Sequence, residues 1–202
     1  MPAQDAIEFM MAYAKRGVRY WESAVKDATK TRALRLLQNQ VATNDDEVKV
    51  IINSVRSGAK RVLYVPMPKA HRADIELCLF LPVRVDDNKT SFELLMLLES
   101  DERCLAFRFE PADPGDTTHG YGHIQMNRRM EGGVRDVAGL PGWVPKSYPA
   151  FPLRTSEPIE MFLSMVTSIH GYRKGIVDLL DEVIPDPGPR KKYVEMLKRA
   201  ML

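Results

Sequence analysis

The chain has two cysteines in 202 residues, only four histidines, and no stretch of 18 apolar residues. Cys78 and Cys104 each sit inside an apolar run. They read as buried reduced thiols, which sets aside a disulfide framework, a redox pair and a cysteine zinc site. The opening stretch "MPAQDAIEFMMAYAKRG" lacks the basic start and apolar block of a secretory leader, and no window reaches the length of a membrane span. The protein is therefore expected in the cytoplasm, without membrane contact. Signature motifs are missing as well: there is no Gly-rich phosphate loop ending in Lys-Ser or Lys-Thr, and no dinucleotide fingerprint. Nor is there a G-x-S-x-G elbow, a zinc-protease helix or a calcium loop. These absences set aside the commonest nucleotide-binding and hydrolase classes, and no cofactor is expected.

Charge of either sign is nearly balanced at a net +2, but it is unevenly placed. Residues 15 to 35 carry seven basic side chains, Lys15, Arg16, Arg19, Lys26, Lys30, Arg32 and Arg35, against Glu22 and Asp27. The C-terminal run "PRKKYVEMLKRAML", which begins with Pro189 and Arg190 and continues through Lys191 and Lys192, adds five against Glu195. Basic helical ends of this kind face nucleic acid or an acidic partner, or are simply solvated.

Periodicity is clearest at the N-terminus. Ile7, Met11, Ala14, Val18, Trp21, Val25 and Ala28 form one helical seam. Arg16, Arg19, Lys26 and Lys30 fall on the opposite side. Past Arg32 the apolar positions move to Leu34, Leu37 and Val41, so the helix bends, ends and restarts, or turns its face. The seam serves the chain's own core, or a homo-oligomeric contact through this helix. A further helix starts at "NDDE", with Asn44 capping the Glu47 amide and the Glu47 side chain answering it, and Gly58 closes it.

After residue 60 the period becomes that of strands. "RVLYVP", "ADIELCLFLPV", "SFELLMLLE" and "CLAFRFEP" are separated by turn clusters and read as an antiparallel meander. In the second run Ile75, Leu77, Leu79 and Leu81 alternate with Glu76, Cys78 and Phe80, and Pro82 marks an edge, a bulge or the strand's end. Residues 132 to 158 then carry five prolines together with Trp143, Tyr148 and Phe151, which describes an ordered strap. Helices resume with Ser156 as a cap and Ile159, Phe162, Leu163, Val166 and Ile169 as an apolar face, and the last helix begins with proline in its first turn. The fold class is α+β, an antiparallel sheet of about four to five strands flanked by N-terminal and C-terminal helices. Residues 1–58 form a helical part and 59–202 the α+β core.

The stretch "DTTHGYGHIQMNRR", residues 116 to 129, holds two histidines four apart. As a strand it points His119, Tyr121, His123 and Gln125 to one face and Ile124 and Met126 to the other. The strand before it divides likewise, with Leu105, Phe107 and Phe109 on the apolar side and Arg108 and Glu110 on the polar side. If the two pair, Arg108 and Glu110 join Tyr121 and His123. Histidines four apart in a strand lie about 13 Å from each other, too far to share a zinc ion. No metal site is therefore expected. A phosphodiester lying between His119 and His123 is within reach of acid and base catalysis, with arginine stabilising charge. The other reading is a structural histidine bonded to Glu110. His170, at a helix end, reads as a residue favoured by the helix dipole.

The segments "FRFEPADPGDTTHGYGHIQMNR", "PKSYPAFPL" and "SIHGY", spread over residues 105 to 172, resemble an uncharacterised family of bacterial proteins. The resemblance implies a prokaryotic, cytoplasmic protein acting beside other gene products, and assigns no roles. Two functions follow from the residues. The first is a binding or adaptor component that meets a protein, or a nucleic acid, through Arg16, Arg19, Lys26, Lys30, Arg190, Lys191, Lys192 and the strap's Trp143 and Tyr148. The second is a small metal-independent hydrolase acting on phosphodiesters, with His119, His123, Arg108, Glu110 and Tyr121 as its catalytic face.

Overall fold

The computed structural model describes residues 2–57, 62–69, 75–85, 90–98, 104–112, 122–126, 151–153, 158–170, 180–181, 184 and 186–200. Among the described residues there are five helices and one sheet of six strands. They run in the order α1 (Pro2–Ala24), α2 (Asp27–Leu36), α3 (Asp45–Arg56), β1 (Val65–Pro66), β2 (Ile75–Val85), β3 (Thr90–Leu98), β4 (Cys104–Glu110), β5 (His123–Met126), β6 (Phe151–Pro152), α4 (Pro158–His170) and α5 (Pro187–Ala200). The strands neighbour one another in chain order and every pair is antiparallel, so the sheet is a meander in an α+β fold.

The sixth strand corrects the expected count. It lies inside the proline and aromatic segment, where Phe151 and Pro152 pair with Ile124 and His123. Two residues, one of them a proline without an amide, carry no period-2 signal. β1 is also shorter than "RVLYVP" implied, although Tyr64 extends it through a parallel bridge to Val41. Pro82 does not end its strand. β2 continues to Val85, with register shifts at Ile75/Leu77 and at Pro82/Arg84. The first of these shifts corrects the expected alternation, since Ile75 packs with the Phe80 side while Leu77, Leu79 and Leu81 pack on the other.

Both sheet faces are covered, which the sequence reading did not anticipate. On one face Cys78, Phe80, Phe92, Leu94 and Phe109 pack with residues of α1, α3 and α4. On the other, Leu77, Leu79, Leu81, Leu95, Leu97 and Ala106 pack with Trp21, Val25, Ala33 and Leu37. α1 serves both clusters because it passes the β1 edge: its residues to Val18 join the first, and Trp21 joins the second. Gly17 makes that passage possible. A Cβ there would stand 1.7 Å from the Pro66 carbonyl oxygen. Phe162 centres the first cluster, with ring centroids 5.4 to 5.6 Å from Phe9, Tyr13, Phe80 and Phe92. Such pairs contribute roughly 0.5–1.5 kcal/mol each beyond burial alone.

The helical break expected at Arg32 lies earlier, and α2 runs unbroken through Arg32 and Arg35. α1 ends at Ala24 and α2 restarts at Asp27, which rotates the buried stripe to Thr29 and Ala33 and leaves Ala28, the last seam position, exposed. The rest of the seam lies within the chain's own core. At α3, Glu47 N–H donates to Asn44 Oδ1 at 2.9 Å, as expected, while the Glu47 carboxylate accepts from Thr43 N–H and Thr43 Oγ–H instead of the Asn44 amide. Ile159, Phe162, Leu163, Val166 and Ile169 are buried, and so are Met161 and Met165. Gly58 and Ser156 lie outside the described residues.

Candidate functional site

The polar residues expected on one sheet face come together. Glu110 pairs with His123 and Arg108 with Gln125 across β4 and β5, because each strand places alternate residues on one face. The Glu110 carboxylate is the centre of the group. His123 Nε2 lies 3.1 Å from Oε2 and Gln125 Nε2 donates to the same oxygen at 2.9 Å, while Arg108 Nε stands 3.1 Å from Oε1. A carboxylate oxygen only accepts, so His123 carries a proton on Nε2. His119 and Tyr121 lie outside the described residues, as do Trp143 and Tyr148.

The row continues into residues the sequence reading passed over. Arg108 stands opposite Glu93 of β3, and Glu93 in turn opposite Leu81. Tyr64 O–H donates to Glu93 Oε2 at 2.9 Å. Glu93 is only 2% exposed, in a position where a carboxylate is costly without donors. One signal was legible: Glu93 interrupts the apolar run "SFELLML". Nothing in the sequence named Tyr64 as its partner, since 29 positions separate them.

Accessibility divides the group. His123 is 2% exposed, whereas Arg108 and Glu110 keep about a quarter of their side-chain surface, at 28% and 25%. Glu110 receives three neighbours on its two oxygens, which orients His123 and neutralises the carboxylate. The arrangement can hold a histidine tautomer and brace β4 against β5. As an acid and base pair it would need the buried imidazole to meet a substrate.

The basic residues fare differently. Arg19 and Lys26 are exposed on α1 and just before α2, and Lys191 and Lys192 are exposed on α5. Arg16 and Lys30 are half-buried, and Lys30 Nζ stands 3.6 Å from Asp27 and bonds the Glu22 carbonyl. Arg190 pairs with Asp181 at 3.0 Å. Arg32, counted in the same basic run, turns inward, 3.3 Å from Glu76 and donating to the Leu98 carbonyl at 2.9 Å. Cys78 is buried and its thiol is pushed up to about 12 by that burial. Among the described residues no helix is long and apolar enough to cross a membrane. Compared with family models, curated proteins and solved structures, the chain matches none of them.

Proposed function

We propose that this chain is a binding component of a bacterial cytoplasmic multi-protein system, meeting an acidic protein surface or nucleic acid through its basic helical ends. The observation that carries the reading is the exposure of Arg19, Lys191 and Lys192 on helices whose opposite faces are anchored in the core, with Lys26 exposed at the start of α2. Exposed cations on fixed helices meet phosphates or carboxylates without reorganising the fold. Arg16, Lys30 and Arg190 supply positive charge beside them.

The gathering of Arg108, Glu110 and His123 favours a second reading, a metal-independent phosphodiester hydrolase. Burial of His123 and the three partners of Glu110 weigh against it, because a general base must reach the proton it takes.

The test uses purified full-length protein and fluorescently labelled short RNA and DNA. Affinity should fall at least about tenfold between 50 and 200 mM salt, and Arg19→Glu with Lys26→Glu should weaken it further. Protein that is monomeric, retains no partner on purification and binds neither probe in a salt-dependent way sinks the proposal. Hydrolysis of a phosphodiester that disappears in His123→Gln would instead establish the second reading.

A further inference from the structure

Outside the sheet's polar row, one buried polar pair joins two helices distant in the chain. Tyr13 of α1 is 0% exposed, and His170, the last residue of α4, is 6% exposed. The phenol oxygen and His170 Nε2 are 2.6 Å apart, with the ring planes at 78°. Phe9, Phe80 and Phe162 surround Tyr13 at centroid distances of 6.4, 6.2 and 5.5 Å. A hydroxyl without exposure must give its proton to an acceptor, since a buried unmade bond carries the full cost of desolvation. Among the described residues that acceptor is Nε2. Burial holds the phenol well above the ordinary tyrosine range, with Cys78 adding to the effect and Arg16 opposing it, so the phenol keeps its proton. Donation by the phenol makes Nε2 the acceptor, which leaves the ring's own proton on Nδ1.

We propose that the Tyr13–His170 pair is an acid-released clasp between α1 and the C-terminal end of α4. A proton added to Nε2 removes the phenol's acceptor, sets two donors against each other, and places a cation among aromatic rings. Among the described residues, titratable groups on neighbouring elements also stand near the pair. Arg16 comes from α1, Cys78 from β2, and Tyr193 of α5 stacks behind Phe9. Arg16 repels an added cation, and the other two are neutral. The end of α4 favours positive charge through the helix dipole, but that effect is confined to the last turn and is smaller than the penalty of burying an imidazolium. Acid thus loosens the helix that carries Arg16 and Arg19.

The sign follows from linkage. The clasp requires the folded chain to take up this proton at lower pH than the unfolded chain, where a histidine titrates near 6.5. The clasp's contribution is complete above that value and is lost as the pH falls below it. Urea unfolding of the full-length protein at pH 7.5 and 5.5 tests this against His170→Gln, whose amide oxygen accepts from the phenol and does not titrate. The folded-to-unfolded ratio of the wild type should drop about tenfold more than that of the variant. Parallel behaviour of the two overturns the proposal. If the variant does not fold, nitrogen NMR of the wild-type ring, assigned through its contact with Tyr13, decides alone. A ring protonated on Nδ1 at pH 7 and titrating below about 6.5 upholds the clasp. A ring protonated on Nε2 at pH 7, or titrating at or above that value, overturns it.

Discussion

Gly17 shows how a single residue sets the path of a helix. In sequence it is an interruption in a helical pattern, where glycine is weakly unfavourable. In the fold the missing Cβ is the requirement, because the Pro66 carbonyl oxygen occupies its place and the Met67 backbone lies just behind. Gly17→Ala gains helix propensity and loses the crossing. The lost fit dominates, since backbone cannot turn aside as a side chain does, and overpacking costs roughly 1–3 kcal/mol. Urea denaturation should find the variant destabilised by about that amount, and an unchanged or raised midpoint would refute the account. Glu93 teaches the same lesson for charge. Its burial becomes intelligible only when Tyr64 and Arg108 are placed beside it.

At the scale of elements, local chemistry was the better guide. The start of α3 was legible because its cap uses residues within four positions of each other, and Asn44 and Glu47 are both engaged. Asn44→Ala should cost about 0.5–2 kcal/mol, with Asn44→Asp close to neutral, as thermal or urea unfolding would report. Equal losses in both variants would show that the cap is not the cause. A change of apolar stripe was legible, but it was expected at Arg32 and Arg35, which lie inside α2, whereas the helix breaks between Ala24 and Asp27. The break was decided by the second cluster, which needed Ala33 and Leu37 to face Leu77 and Leu95. β6 gave no pattern at all, because its two residues are in the sheet only through pairing with β5.

Over the whole molecule, the sheet separates two apolar clusters that together hold most of the buried hydrophobic side chains. Cys78 and Tyr13 lie in the first of them, both protonated because burial disfavours their charged forms. A raised folded value means that the unfolded chain releases its protons first, so stability is lost as pH rises from the free thiol's 9.0 toward about 12. Alkaline unfolding should therefore be steeper for the wild type than for Cys78→Ala. At neutral pH a thiol reagent mapped by mass spectrometry should modify Cys78 only as fast as the protein unfolds. Rapid labelling of the native protein at Cys78 would contradict the packing described.

The sequence by itself determined the α+β class, the meander, the helical ends and the two faces of the strands carrying Arg108, Glu110 and His123, because alternation and helical period are local properties of the backbone. Only the tertiary structure decided which polar groups meet. Tyr64 reaches Glu93, Tyr13 reaches His170 across 157 positions, and Arg32 leaves the basic surface for Glu76. Those partners are chosen by burial, which forces each polar group to find a donor or acceptor wherever the packed elements bring one.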